Sequence, residues 1–120
     1  TQTRPQVRRR KVRHDFHGTE IPKHWHGGSV VATQLSNGVN LLFPEGERFF
    51  VRSVRRYLEK IQAEDAELAE EMKGFFGQEG SHAREHERFF EVLEEQGYQI
   101  REYVAAFTKS GRYIGTVPCP

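Results

Sequence analysis

The chain has one cysteine, one methionine and one tryptophan in 120 residues. A lone cysteine, Cys119, excludes an intrachain disulfide and with it the disulfide-stapled class of small domains, so a reducing, cytoplasmic setting is the default expectation. Long apolar runs are also missing. None approaches the roughly 20 residues that a bilayer-spanning helix needs, and no membrane partner is expected. The basic N-terminus has no apolar segment behind it and does not read as a secretory signal. Charge of one sign is not in excess either: the formal net charge is +1, which singles out neither nucleic acid nor an acidic partner. No glycine-rich phosphate loop follows a strand, and no serine, histidine and aspartate set has a supporting context. Cys119 sits between Pro118 and Pro120, where nothing activates a nucleophile.

What is present has the composition of an ordinary soluble protein, 36% hydrophobic and 29% charged, in a chain sized for one domain. Residues 1–28 combine a basic arm (Arg4, Arg8, Arg9, Arg10, Lys11, Arg13) with Pro5, Pro22 and the Gly27-Gly28 pair, and read as arm and loop. Residues 29–97 carry helical periodicity. One segment runs from about Ser29 to Phe43, and Pro44 either kinks it or opens a new helix at its first position. A second runs from Glu47 to Ile61, followed by a polar joint at Gln62-Ala63-Glu64-Asp65. A long helix then extends from about Ala66 to Gln96, with Asp65 as its cap and Gly97 as its stop. In residues 98–120, Ile100, Tyr103, Val104 and Phe107 suit a short helix. Gly111, Gly115, Pro118 and Pro120 nevertheless predict an irregular tail.

The chemistry lies in the two apolar stripes. On a helical wheel with Glu79 at the origin, His82 falls about 60° to one side and His86 about 20° away. Met72, Phe75, Ala83, Phe90 and Leu93 lie within roughly 40° of the same direction. With Glu47 at the origin, Phe43, Val51, Val54, Leu58 and Ile61 cluster in the same way, while Glu45 points nearly opposite and is expected in solvent. Each stripe therefore places a carboxylate among core residues. Burying even a neutral polar group without a partner costs on the order of 2–7 kcal/mol, so something must compensate. A divalent cation does so, because carboxylate oxygen and imidazole nitrogen are its natural ligands; iron, manganese and zinc all suit them. Glu-x-x-His is also the element that di-iron and di-manganese carboxylate bundles draw from one helix, beside a lone Glu from another. Glu47 with Glu79 and His82 is half of such a dinuclear set. The simpler alternative neutralises Glu79 with Arg84 or another cation and leaves His82 and His86 as satisfied core histidines.

Other features carry less. His24 and His26 flank Trp25 and offer a second metal site, although loop histidines beside glycines are more commonly plain loop residues. Trp25 is expected over one end of the bundle. The Arg8-Arg9-Arg10-Lys11 run could attract phosphates, but no nucleic-acid module accompanies it.

The motifs Pro22-Lys23-His24-Trp25, Leu41-Leu42-Phe43-Pro44-Glu45-Gly46-Glu47-Arg48-Phe49-Phe50, Ser53-Val54-Arg55, Gly77-Gln78-Glu79-Gly80-Ser81-His82 with His86, and Gln96-Gly97-Tyr98 occur in order. Together they resemble the predicted metal-dependent hydrolases, a bacterial family of ferritin-like helical proteins, over residues 21–98. The resemblance implies an all-α, ferritin-like bundle, a small-molecule substrate, and Glu47, Glu79, His82 and His86 as metal ligands. It implies no assigned catalytic residue. Family members are longer, with later helices to complete a metal site, and residues from about Tyr103 onward do not resemble their continuation. Two expectations follow. Either this is a shortened, nonenzymatic member that associates through its apolar seam, or two chains form a homodimer that completes one centre. A seam left open would uncover Phe43, Phe50, Phe75 and Phe90. Iron-dependent oxidation is the competing chemistry to hydrolysis on the same ligands.

Overall fold

Two glycines set the entry to the first helix. Gly27 and Gly28 adopt φ of 61° and 76°, left-handed values that other residues rarely take, and turn the chain so that Ser29 can cap. Its hydroxyl accepts from the Ala32 amide at 3.2 Å, and helix α1 (Val30–Arg55) follows. The computed structural model describes residues 7–114. It is all-α, and among the described residues it contains no strand.

Pro44 neither ends α1 nor opens a second helix. It lies buried inside one continuous helix, where its missing N–H leaves the Asn40 carbonyl without the usual partner. The break comes instead at Arg56-Tyr57, before the short α2 (Leu58–Glu64). Asp65 then caps α3 (Ala66–Glu95), accepting from Leu68 N at 2.9 Å. Gly97, at φ 93°, closes α3 with paired bonds, Tyr98 N to Leu93 O at 3.1 Å and Gly97 N to Glu94 O at 2.9 Å. That pattern is a Schellman motif, the usual glycine stop.

The expected irregular tail is corrected by α4 (Arg101–Ile114). Ile100 is buried at its entry and joins Phe90 and Leu93 in the core, with Leu41 and Val104 packed against them. An apolar anchor at one end outweighs the modest cost of a glycine within a helix. Cys119, Gly115, Pro118, Pro120, Arg4 and Pro5 lie outside the described residues.

Glu45, expected in solvent, is buried. Glu45 does point away from the Glu47 stripe, and it lies one turn beyond Leu41, which packs against Phe90, Leu93 and Ile100. Arg52 Nη2, 3.0 Å from Glu45 Oε1, compensates it. Phe90 is buried as well, so of the four phenylalanines expected at an open seam, Phe43 and Phe50 are the exposed ones.

The arm is not free. It runs alongside α3 in the same direction, with Arg9 Nε on Ser81 Oγ (2.9 Å), Arg10 N on Gln78 Oε1 (2.9 Å) and His14 N on Glu85 Oε2 (2.8 Å). Gln96 reaches the Ile21 carbonyl at 2.9 Å. No helix among the described residues is long and apolar enough to cross a membrane.

Candidate metal centre

α1 packs against α3 and buries Thr33, Asn37, Pro44, Glu45 and Glu47, and polar residues of the two helices meet. His82 and His86 stand one turn apart on α3 and face Glu47 on α1. His82 Nδ1 lies 2.7 Å from Glu47 Oε1, and His86 Nε2 lies 3.9 Å from it. The two Nε2 atoms are 3.1 Å apart. One ligand atom from each of the three residues falls within 4.8 Å of the others, a group that could hold a metal ion.

The site fits a cation for a specific reason. The Glu47 side chain is 5% exposed, and both of its carboxylate oxygens are buried without a well-aligned hydrogen bond, despite the nearby His82 ring. Burial pushes the Glu47 carboxyl up; His82 opposes that shift, Glu79 adds to it, Arg48 opposes and Glu87 adds. A carboxylate kept without water or a matched donor is the group a divalent ion would satisfy.

His86 is prepared from both sides. Its Nδ1 meets Asn40 Oδ1, which fixes the proton there and leaves the Nε2 lone pair toward Glu47 and His82. Phe43 stacks on the ring at 4.7 Å and 16°. Burial lowers the pKa of His86, and His82 lowers it further, so the ring favours the neutral form that a metal requires.

Glu79 is not brought into this group. It shares with Glu47 a cavity of about 350 Å3, lined also by Arg48, Arg52, Arg55 and Arg84, among others. Arg84, the cation suspected of neutralising it, donates to Ser81 Oγ at 3.3 Å instead. His24 and His26 are elsewhere. The His26 ring meets Ser36 Oγ at 2.8 Å, and among the described residues the metal-competent group contains neither histidine.

Two of the three ligands, His82 and His86, line a groove of about 610 Å3 together with Phe16, Trp25, Leu35, Val39, Phe43 and Phe89, among others. Sequence reasoning missed it because its walls come from three distant segments. Trp25 is tied there by its indole N–H to Asn37 Oδ1 at 2.9 Å and by an edge-on contact to Phe89 at 5.7 Å.

The profile of the predicted metal-dependent hydrolases matches residues 8–116, most of the chain. The chain belongs to that family. Membership in the predicted metal-dependent hydrolases thus reaches past the 21–98 stretch, taking in most of the arm and all of α4. The expected departure from about Tyr103 onward is overturned: α4 is part of the match. No curated protein and no solved structure matches the chain.

Proposed function

We propose that this chain is a metal-dependent hydrolase whose divalent cation is held by Glu47, His82 and His86, with Glu79 as the second carboxylate. The observation that carries this reading is the buried carboxylate of Glu47, without an aligned hydrogen bond, opposite two imidazole nitrogens. Two carboxylates would balance a doubly charged ion. A cation there supplies Lewis acidity, polarising a scissile carbonyl or phosphoryl oxygen and acidifying water.

The chain's own residues do the rest. Asn40 holds the His86 tautomer, and Phe43 fixes the ring plane. His82, half exposed, faces the open side where a substrate arrives. Iron, manganese and zinc all suit these donors, and oxygen-dependent oxidation is the competing chemistry if the ion is iron.

Elemental analysis of protein purified without added metal tests the reading. We expect about one ion per chain, lost in Glu47→Ala. A content near zero in both proteins would overturn it.

One observation favours a second reading, a ferritin-like half-bundle completed by a second chain. Val31, Leu35, Val39, Phe43 and Phe50 on α1 are all exposed, an apolar stripe of the kind that drives association. Sizing with and without chelator separates the cases. A dimer that survives chelation favours simple nonenzymatic association, and one that dissociates favours a shared centre.

A further inference from the structure

The groove beside His82 and His86 is built for something other than a charged ligand. Its lining contains one carboxylate, Glu85, and that group is fully engaged. It accepts from the His14 backbone at 2.8 Å, from the His14 ring at 2.9 Å and from Arg88 Nη1 at 2.9 and 3.1 Å. The Trp25 indole N–H is likewise satisfied by Asn37. Neither a free cation for an anionic ligand nor a free carboxylate for a cationic one remains among the named lining groups, apart from the two histidines of the metal centre.

What the groove offers is ring faces and aliphatic side chains. Phe16 packs on Phe89 at 5.5 Å and is covered by the Arg88 guanidinium at 5.4 Å, so the arm wall is pinned in place. Opposite, Leu35 and Val39 remain 68% and 54% exposed, apolar surface that a bound molecule would bury. A volume of about 610 Å3 is in the ordinary range for a small-molecule site with mostly apolar walls. His82 and His86 are part of its lining.

We propose that this groove binds an uncharged aryl or medium-length alkyl group of the substrate, a neutral ester or amide whose carbonyl then lies at His82 and His86. The substrate class rests on the hydrolase reading; binding of the apolar group does not. In the reaction, the acyl carbon–oxygen or carbon–nitrogen bond breaks and the hydroxyl of water joins the acyl carbon. The remaining proton leaves with the alcohol or amine.

The neutral fluorophore N-phenyl-1-naphthylamine tests the groove, with energy transfer from the sole tryptophan, Trp25, as the signal. Full-length protein, metal-free and metal-loaded, should bind it saturably. Val39→Asp, a change at an exposed position that leaves far-UV circular dichroism intact, should weaken binding about tenfold. Tyr103→Asp, at an exposed apolar position outside the groove, should not. Hexanamide should displace the probe and inorganic phosphate should not. Nonsaturable binding, equal loss in both variants, or displacement by phosphate would overturn the proposal. So would a probe signal that falls as protein concentration and sedimenting mass rise, because a second copy would then fill the groove. Metal content measured on the same samples separates the two claims. Metal without probe binding overturns the groove and spares the metal reading, whereas probe binding without metal does the reverse.

Discussion

His82 Nδ1 stands 2.7 Å from Glu47 Oε1, so a half-exposed ring on α3 leans on a buried carboxylate of α1. Neither oxygen of that carboxylate has an aligned donor. Without a cation the pair is a poor arrangement for stability: two polar groups lose water and gain one imperfect contact. Glu47→Met should therefore leave metal-free stability unchanged or raise it by about 1 kcal/mol. The same substitution should abolish the stabilisation that added metal gives the parent protein. Denaturant melts with and without metal check both halves. A large loss of stability in the metal-free variant would show that Glu47 holds the fold and not an ion.

Asn40 contributes through His86 alone. If its role is to hold the proton on Nδ1, Asn40→Ala should weaken metal binding roughly 10- to 100-fold, with His82 and Glu47 still in place. Asn40→Asp keeps an acceptor at the same point and should restore most of the affinity. Equal affinities in Asn40→Ala and the parent, measured by competition with a chelator, would remove Asn40 from the centre.

These two sites show what could be read ahead of the fold. Glu47, His82 and His86 were legible because helical periodicity alone puts each inside an apolar stripe, where a polar group needs a partner. The ends of α3 were legible because Asp65 and Gly97 act locally. Glu45 was not, because a wheel centred on Glu47 marks one buried face of α1 and Glu45 is buried on another. The groove was not either. His14 and Glu85, which pin its wall, are 71 residues apart in sequence, and a basic arm gives no periodic sign of where it will lie. Glu79 shares the stripe direction with His86 yet lies outside the Glu47, His82 and His86 group, since a wheel gives an angle but not a height along the axis.

The arm's tie to Glu85 has a pH signature. Burial alone would raise this carboxyl, but hydrogen bonds from the His14 backbone, the His14 ring and Arg88 bring it from 4.5 down to about 2. A carboxyl depressed in the folded state contributes stability that is complete above its unfolded value. That contribution is lost as pH falls through the folded one. Between about 4.5 and about 2 the unfolded chain binds the extra proton, so stability should climb with pH across that window. Glu85→Gln should flatten the climb. Parallel slopes in the two proteins would mean that the arm is not held through this carboxylate.

Two glycines of α3 make opposite predictions for one substitution. Glycine inside a helix is about 1 kcal/mol less favourable than alanine, so propensity alone predicts a gain at either site. At Gly80 a new methyl would meet only Arg84 Nη1, at 4.0 Å, and Gly80→Ala should realise the gain. At Gly74 the methyl would sit 2.0 Å from the Val7 carbonyl oxygen. That atom is backbone and cannot swing aside as a side chain would, so the arm must lift for the helix to keep its shape. Gly74→Ala should leave the helices at least as stable while lifting the already exposed Arg8–Arg13 stretch off α3. Trypsin should then cut there faster, and the groove wall at His14 and Phe16 should loosen with it, weakening binding of a neutral apolar probe. If trypsin cuts Gly74→Ala and Gly80→Ala at the same rate, the arm does not rest on α3 at this point.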